Sequence, residues 1–334
     1  MKKCVELYHG NGGIMSHQLI EEIFIRYFSN QPYTAIDSAI IDLALEKDIK
    51  KIAYTTDSYV IQPIFFKGGN IGKLAVSGTI NDLAVSFAQP LYLSCGFIIE
   101  EGLPISELDE IVCSMAETAK ACNVKIVTGD TKVVPRGQAD KVYINTSGIG
   151  KVLVPERFPI QAGDRVLITG TIGDHGAAIL LEREQLDFRC QIKSDCAPLS
   201  PMLGDLVKEL DSHIKLMKDP TRGGVATTLN EIGLQSQKGI RIDEECLPIN
   251  SNVRAICEML GLDPLYLANE GKALIVVEAG YEEKALHLLK QFEIGKESKV
   301  IGEIIEEKEV LMKLSIGTHK VLKMLYQDQL PRIC

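Results

Sequence analysis

Four aspartates in the first half of the sequence stand at what read as strand ends or turns: Asp37 before Ser38-Ala39, Asp57 after Tyr54-Thr55-Thr56, Asp82 after Asn81 and Asp130 after Thr128-Gly129. Carboxylates that converge from separate elements suit Mg²⁺, which takes a few carboxylates together with phosphate oxygens and water. Taken singly, each is a better turn or cap residue than a ligand. Taken together, the turn and metal readings stand level. Lys132, two residues beyond Asp130, is placed to meet a phosphate near such an ion, or is a solvated surface lysine. In the second half, Asp219-Pro220-Thr221-Arg222-Gly223-Gly224 precedes an apolar helix, where N–H groups, Thr221 and Arg222 could receive an anion or simply cap the helix. Asn269-Glu270-Gly271 before an apolar strand offers a carboxylate at a cleft or an ordinary turn.

The familiar phosphate loops fail. Gly68-Gly69-Asn70-Ile71-Gly72-Lys73-Leu74 has Lys67 where a P-loop needs its first glycine, and Leu74 where it needs Ser or Thr. Gly10-Asn11-Gly12-Gly13 and Gly170-Thr171-Ile172-Gly173 both miss Gly-x-Gly-x-x-Gly, which disfavours a dinucleotide fold. His175 in Gly173-Asp174-His175-Gly176 has no evident partner and stays unassigned. The last residue, Cys334 in Pro331-Arg332-Ile333-Cys334, is too late for a prenylation box. A thiol at a chain end is a liability unless its chemistry is used, although chance alone also yields one.

The elements that must position these residues alternate. Expected strands cover 36–43, 51–56, 59–61, 92–99, 125–128 and 141–148, with helices from Ser16, over 70–88 ended by Pro90, and over 105–122. After a turn-rich joint at 151–164, strands are expected at 165–170, 214–218, 240–243, 273–278 and 298–303, and helices at 176–183, 201–210, 223–235, 252–259 and 281–292. The fold class is therefore α/β with mixed sheets, in units 1–150 and 151–327 and a tail 328–334.

Composition bounds the rest. With 334 residues, 46% hydrophobic content and net charge −9, the chain can bury a sizeable core and offers no broad basic surface for nucleic acid. Its nine cysteines form neither Cys-x-x-Cys pairs nor zinc spacing, and seven of them, Cys95, Cys113, Cys122, Cys190, Cys196, Cys246 and Cys257, read as buried small residues. No signal peptide and no apolar run of bilayer length is apparent, so a cytoplasmic protein without membrane contact is expected.

The stretches His9 to Gly13, Thr55-Thr56-Asp57-Ser58, Gly68 to Leu74, Leu93 to Phe97, Thr128 to Val134, Asp219 to Gly224, Ala268 to Lys272 and Pro331 to Cys334 resemble the HypE family of hydrogenase maturation proteins, in the PurM-like (aminoimidazole ribonucleotide synthetase) superfamily. The resemblance implies a two-domain PurM-like architecture whose N-terminal domains pair into a dimeric β-barrel, and ATP and Mg²⁺ as cofactors. It implies ATP-dependent dehydration of a carbamoyl group on the thiol of Cys334 to a thiocyanate. The carbamoyl would come from the carbamoyltransferase HypF, and the cyanide would go to the iron of [NiFe]-hydrogenase through the HypC–HypD complex. Under it Cys334, Glu270 and Lys132 are catalytic, Glu270 as the base. Asp57, Asp82, Asp130 and less surely Asp37 hold metal. Gly10, Gly12 and Gly13 form a lid, and with Asn70, Lys73, Thr221, Arg222 and Gly223 they contact nucleotide. A small-molecule ligase or kinase of the same superfamily would share the aspartates and glycines but have no use for Cys334.

Overall fold

The computed structural model describes residues 13–19, 39–46, 49–154, 158–184, 192–327, 329–330 and 333–334. The expectations for Asp37, Gly10, Gly12 and Cys190 therefore lie outside the described residues. The first half runs α1 (Gly13–Leu19), β1 (Ala39–Glu46), β2 (Ile49–Tyr59), β3 (Phe65–Phe66), β4 (Gly69–Asn70), α2 (Ile71–Val85), β5 (Ala88–Glu100), α3 (Ile105–Ala121), β6 (Lys125–Val134) and β7 (Val142–Val152). The second runs β8 (Arg165–Ile168), α4 (Asp174–Arg183), α5 (Ser200–Leu210), β9 (Ile214–Lys218), α6 (Gly224–Ser236), β10 (Gly239–Asp243), α7 (Ser251–Leu260), β11 (Leu274–Val277), α8 (Glu282–Leu289), β12 (Lys299–Ile305), β13 (Val310–Lys313) and β14 (His319–Val321).

The first sheet is ordered β1-β2-β7-β5-β6. Strand β7 alternates strictly between buried and accessible residues, with Val142, Ile144 and Thr146 turned inward, so one face of the sheet is covered and the other is open. The cover is α2. Asn70 caps it, its Oδ1 accepting from the N–H groups of Gly72 and Lys73 at 2.9 and 3.0 Å. Apolar residues lie all around this helix because it is enclosed between the sheet, α3 and the second half of the chain.

The second sheet is ordered β14-β13-β10-β12-β8-β11-β9. Strand β11 is buried on both faces: Leu274 and Val276 enter one apolar cluster with α6, Ile275 and Val277 another with α5 and α8. That is why its sequence is an unbroken aliphatic run. Asn81 of α2 fastens the halves together, donating from Nδ2 to the carbonyl oxygens of Ala197 (3.1 Å) and Glu270 (3.4 Å) and accepting from the Leu199 N–H at 2.7 Å.

Several local expectations need correction. The stretches 51–56 and 59–61 belong to one strand, β2, and Pro90 lies inside β5, at a register irregularity, rather than at the end of a helix. Strand β6 runs on through Gly129-Asp130 to Val134. None of the three described aspartates is at a strand end: Asp57 and Asp130 are within strands and Asp82 is within α2. The pair β13–β14 had no signal strong enough to be expected. Cys95, Cys196 and Cys257 are buried as expected, with burial pushing Cys95 and Cys257 to about 11, but Cys122 and Cys246 are only half-buried and Cys113 is exposed. Among the described residues no helix is long and apolar enough to cross a membrane.

Candidate active site

A pocket of about 210 Å³ opens between the halves, lined by Thr55, Thr56 and Asp57 of β2, Gly78 and Asp82 of α2, Asp219, Thr221 and Arg222 from the β9–α6 loop, Glu270 from the turn before β11, and Cys334. Inward alternation along β2 aims Thr55, Asp57 and Tyr59 at α2. The Thr55 hydroxyl donates to Asp82 Oδ2 at 2.7 Å, tying the strand to the helix. Gly78 has to be glycine, because a Cβ there would stand 2.3 Å from the Tyr59 hydroxyl oxygen.

The two loops of the second half are locked to each other. Gly223 and Gly224 take φ of +73° and +64°, which lets the chain turn sharply from Asp219 into α6. Asn269 donates to the Pro220 carbonyl from Nδ2 at 3.0 Å and from its own N–H at 3.1 Å, setting Glu270 beside that loop. Asp195 then accepts from the N–H groups of Glu270 and Gly271, each at 3.1 Å.

Glu270 is 3% exposed, and its Oε1 is buried with no hydrogen-bond partner. Burial, followed by the negative charges of Asp195, Asp219 and Asp57, holds its carboxyl well above the ordinary glutamate value of 4.5, against the opposing pull of Arg222. A buried carboxyl with one oxygen unpartnered and its proton affinity raised is chemically suited to proton transfer. Arg222 keeps contact with water yet is drawn upward in pKa, first by negative charge at Cys334, then by Asp57, Glu270 and Asp82. Arg222 thus places one positive charge among the carboxylates of the pocket.

Cys334 reaches the pocket because its backbone is held. The Val60 N–H donates to a backbone carboxylate oxygen of Cys334 at 3.1 Å, and Ile333 is 5% exposed within the first apolar cluster.

The pocket thus unites Asp57, Asp82, Thr221, Arg222, Glu270 and Cys334. Asp130 and Lys132 are elsewhere in the chain. Cross-strand rows put Asp57 level with Thr146, Cys95 and Gly129, whereas Asp130 is level with Gly96, Asn145 and Ser58, one residue out of phase. Their side chains therefore leave opposite faces of the sheet. Both are exposed, and Lys132 pairs with Asp130 at 2.7 Å. Gly223 starts α6 beside the pocket. Asn70 spends its Oδ1 on the cap and on the Ser114 hydroxyl at 2.6 Å, and Lys73 donates to the Gly68 carbonyl at 2.9 Å. Gly13 begins α1 under the carbonyl of Leu325.

Among the described residues no group of three or more His, Cys, Asp and Glu is arranged to hold a metal alone. Asp57 and Asp82 nevertheless fit Mg²⁺, which is ordinarily held by one or two carboxylates with substrate phosphates and water. Sequence reasoning passed over Thr55, Asp219 and Asp195. Asp219 stood inside a stretch already singled out, while Asp195 lies in a segment with no periodicity to flag it.

Comparison with known proteins bears on the family rather than on single residues. Residues 36–152 match the family described as AIR synthase related protein, N-terminal domain, and residues 161–314 the corresponding C-terminal domain. The carbamoyl dehydratase HypE of Escherichia coli (strain K12) is 47% identical over 336 residues, covering 99% of each chain. The crystal structure of a HypE–HypF complex superposes with a TM-score of 0.86 at 47% identity, covering 92% of this chain and 99% of that one. A HypE structure in complex with ATP gives 0.82 at 45% identity over 99% of this chain and 100% of that one. With a PurM-like pair of domains and identity of this order along its whole length, the chain belongs to the HypE family.

Proposed function

We propose that this protein dehydrates a carbamoyl group carried on its own Cys334, at the expense of ATP, to give a thiocyanate whose cyanide serves the iron of [NiFe]-hydrogenase. What supports the reading most is the seating of Cys334 in one pocket with the unpartnered Glu270 Oε1, Arg222 and the pair Asp57 and Asp82.

An amide oxygen is a poor leaving group until it is phosphorylated. The carbamoyl oxygen attacks the γ-phosphorus of ATP, forming the C–O–P link and releasing ADP, while one N–H proton passes to Glu270 Oε1. After Glu270 gives that proton to water, it takes the second N–H proton as the C–O bond breaks. Phosphate departs with the bonding pair, leaving S–C≡N. Burial and carboxylate neighbours make Glu270 a base of adequate strength, and Arg222 is placed to receive the departing anion. Asp57 and Asp82 would hold Mg²⁺, which supplies charge neutralisation at the phosphates.

Asp37, Gly10, Gly12, Gly13, Asn70, Lys73, Thr221 and Gly223 belong to the same proposal as nucleotide or metal contacts, and Asp130 and Lys132 as its second half. Because the sheet turns Asp130 and Lys132 away from Asp57, these two serve the site of a second copy. The open face of the first sheet supports such a homodimer: Tyr54, Ile149 and Tyr92 form one cross-strand row there, 41%, 38% and 46% exposed, and Ile98 lies further along. Strand β6 is exposed along nearly all its length. An unpaired edge beside an apolar face is what a paired barrel would cover. HypF as carbamoyl donor and HypC–HypD as cyanide acceptor complete the reading. The cytoplasm is its proper compartment, since all seven described cysteines are free thiols.

The test is ATP consumption coupled to loss of water from carbamoylated protein. Cleavage of ATP that continues unchanged in Cys334→Ala with a diffusible substrate would point instead to a small-molecule kinase or ligase.

A further inference from the structure

His175, on α4, is fully buried, and both ring nitrogens are engaged. Nε2 lies 2.6 Å from the carbonyl oxygen of Ile333, and Nδ1 lies 2.8 Å from the Ser194 hydroxyl. A carbonyl only accepts, so Nε2 carries the hydrogen. In a neutral ring with its hydrogen on Nε2, Nδ1 is an acceptor, so the Ser194 hydroxyl donates to it while Oγ accepts from the Cys196 N–H at 3.0 Å. The chain of donors then runs in one direction, from Cys196 N–H to Ser194 O–H to the ring to Ile333, and a neutral imidazole satisfies every member. Phe66 packs edge-on against the ring with centroids 5.7 Å apart. The facing charged group is Asp195, and burial outweighs it to keep the ring below its ordinary pKa.

We infer that His175 is a positioning residue for the reaction: through Ile333 it seats the tail so that Cys334 lies in the pocket. The inference rests on the reading of Cys334 as the reacting residue. Two features argue for it. When the tail leaves to meet another enzyme, the buried Nε2–H loses its acceptor, a cost that biases the tail toward the pocket. Moreover Ser194, which fixes the ring, is followed by Asp195, which holds the backbone of Glu270 and Gly271. Adjacent residues of one segment thus set the register of both the tail and the base. The Ser194 N–H is itself anchored to the Lys67 carbonyl at 2.8 Å.

The experiment compares two amides of different reach, one for each ring nitrogen, in the full-length protein. A glutamine amide reaches the place of Nε2 and can donate to Ile333, whereas an asparagine amide reaches only the place of Nδ1. Alkylation of Cys334 by iodoacetamide is followed by peptide mass spectrometry without ATP or carbamoyl donor, so its failure is distinct from a failure of the dehydratase reading. His175→Asn is expected to raise the Cys334 rate roughly three- to tenfold, and His175→Gln to stay within about twofold of wild type, as loss or retention of one buried hydrogen bond requires. Buried Cys196 and Cys257 stay protected in both. In ATP-dependent dehydration, His175→Asn lowers kcat with KM for ATP unchanged, and His175→Gln restores it. Equal Cys334 rates in the two variants, or exposure of Cys257 along with Cys334 in His175→Asn, would overturn the assignment.

Discussion

The N–H of Val60 donates to a backbone carboxylate oxygen of Cys334, so the last residue of the sequence is docked immediately past the end of β2, the strand that supplies Thr55 and Asp57. A strand that presents two site residues therefore also receives the tail. The thiol-bearing residue and the carboxylates share one rigid reference, which is what near-attack placement of a carbamoyl oxygen against a phosphate needs.

A short peptide extension after Cys334 should consequently slow ATP-dependent water loss far more than carbamoylation by HypF. The pocket is only about 210 Å³, and added residues must share it with the substrate phosphates. Comparing the two rates by mass spectrometry checks this, and equal dehydration rates with and without the extension would show that the tail is not sealed at its end.

Asp82→Asn should lower dehydration on the order of 10²-fold or more, because a neutral amide cannot hold an ion that contributes several kcal/mol of charge stabilisation. It also makes a weaker partner for the Thr55 hydroxyl. Carbamoylation of Cys334 should survive, as a step separate from phosphoryl transfer at this pocket. Titration of activity with Mg²⁺ should show the variant needing far more metal than wild type.

How much of this was legible in the sequence divides along physical lines. Long periodic elements such as α3 and α5, and the aliphatic run of β11, declare themselves through spacing and apolar content, whereas Asp57 and Asp82 stood out for an expected place at strand ends or turns that the structure does not give them, and Glu270 for its turn before an apolar strand. Strand β6 was cut short because Gly129-Asp130 reads locally as a turn, while pairing with β5 carries the strand straight through it. Asp130 and Lys132 could not be sorted from Asp57, because which face of a sheet a residue leaves depends on register between strands distant in sequence. His175 had no visible partner for the same reason: Ile333 is 158 residues away along the chain.

Glu270→Gln separates activity from stability. As a base Glu270 works deprotonated, so wild-type dehydration should rise with pH through a midpoint above 4.5, and the glutamine variant should lose that limb together with some 10²- to 10⁴-fold of rate. The stability sign is opposite. A carboxyl whose folded pKa is raised holds its proton more tightly in the folded state, so it costs stability increasingly as pH rises from the unfolded value toward the folded one. Glu270→Gln should therefore melt higher than wild type at alkaline pH, with the gap closing below pH 4.5. A melting temperature lowered equally at all pH values would contradict this.

Mixed dimers test the placement of Asp130. If Asp130 of one copy completes the site holding Asp82 of the other, Asp82→Asn and Asp130→Asn proteins are each inactive, yet after subunit exchange each mixed dimer carries one intact site. Turnover should reappear on mixing and should vanish when Ile98→Glu, on the open sheet face, blocks pairing. No recovery on mixing, with exchange verified by native mass spectrometry, would return Asp130 to its own chain.

The most direct measurement is the intact mass of the protein after incubation with HypF, carbamoyl phosphate and ATP. The expected result is a carbamoyl adduct on Cys334 that then loses the mass of one water only when ATP is present, with stoichiometric ADP and phosphate, and neither step in Cys334→Ala. An adduct that persists unchanged in the presence of ATP, or water loss without Cys334, would contradict it.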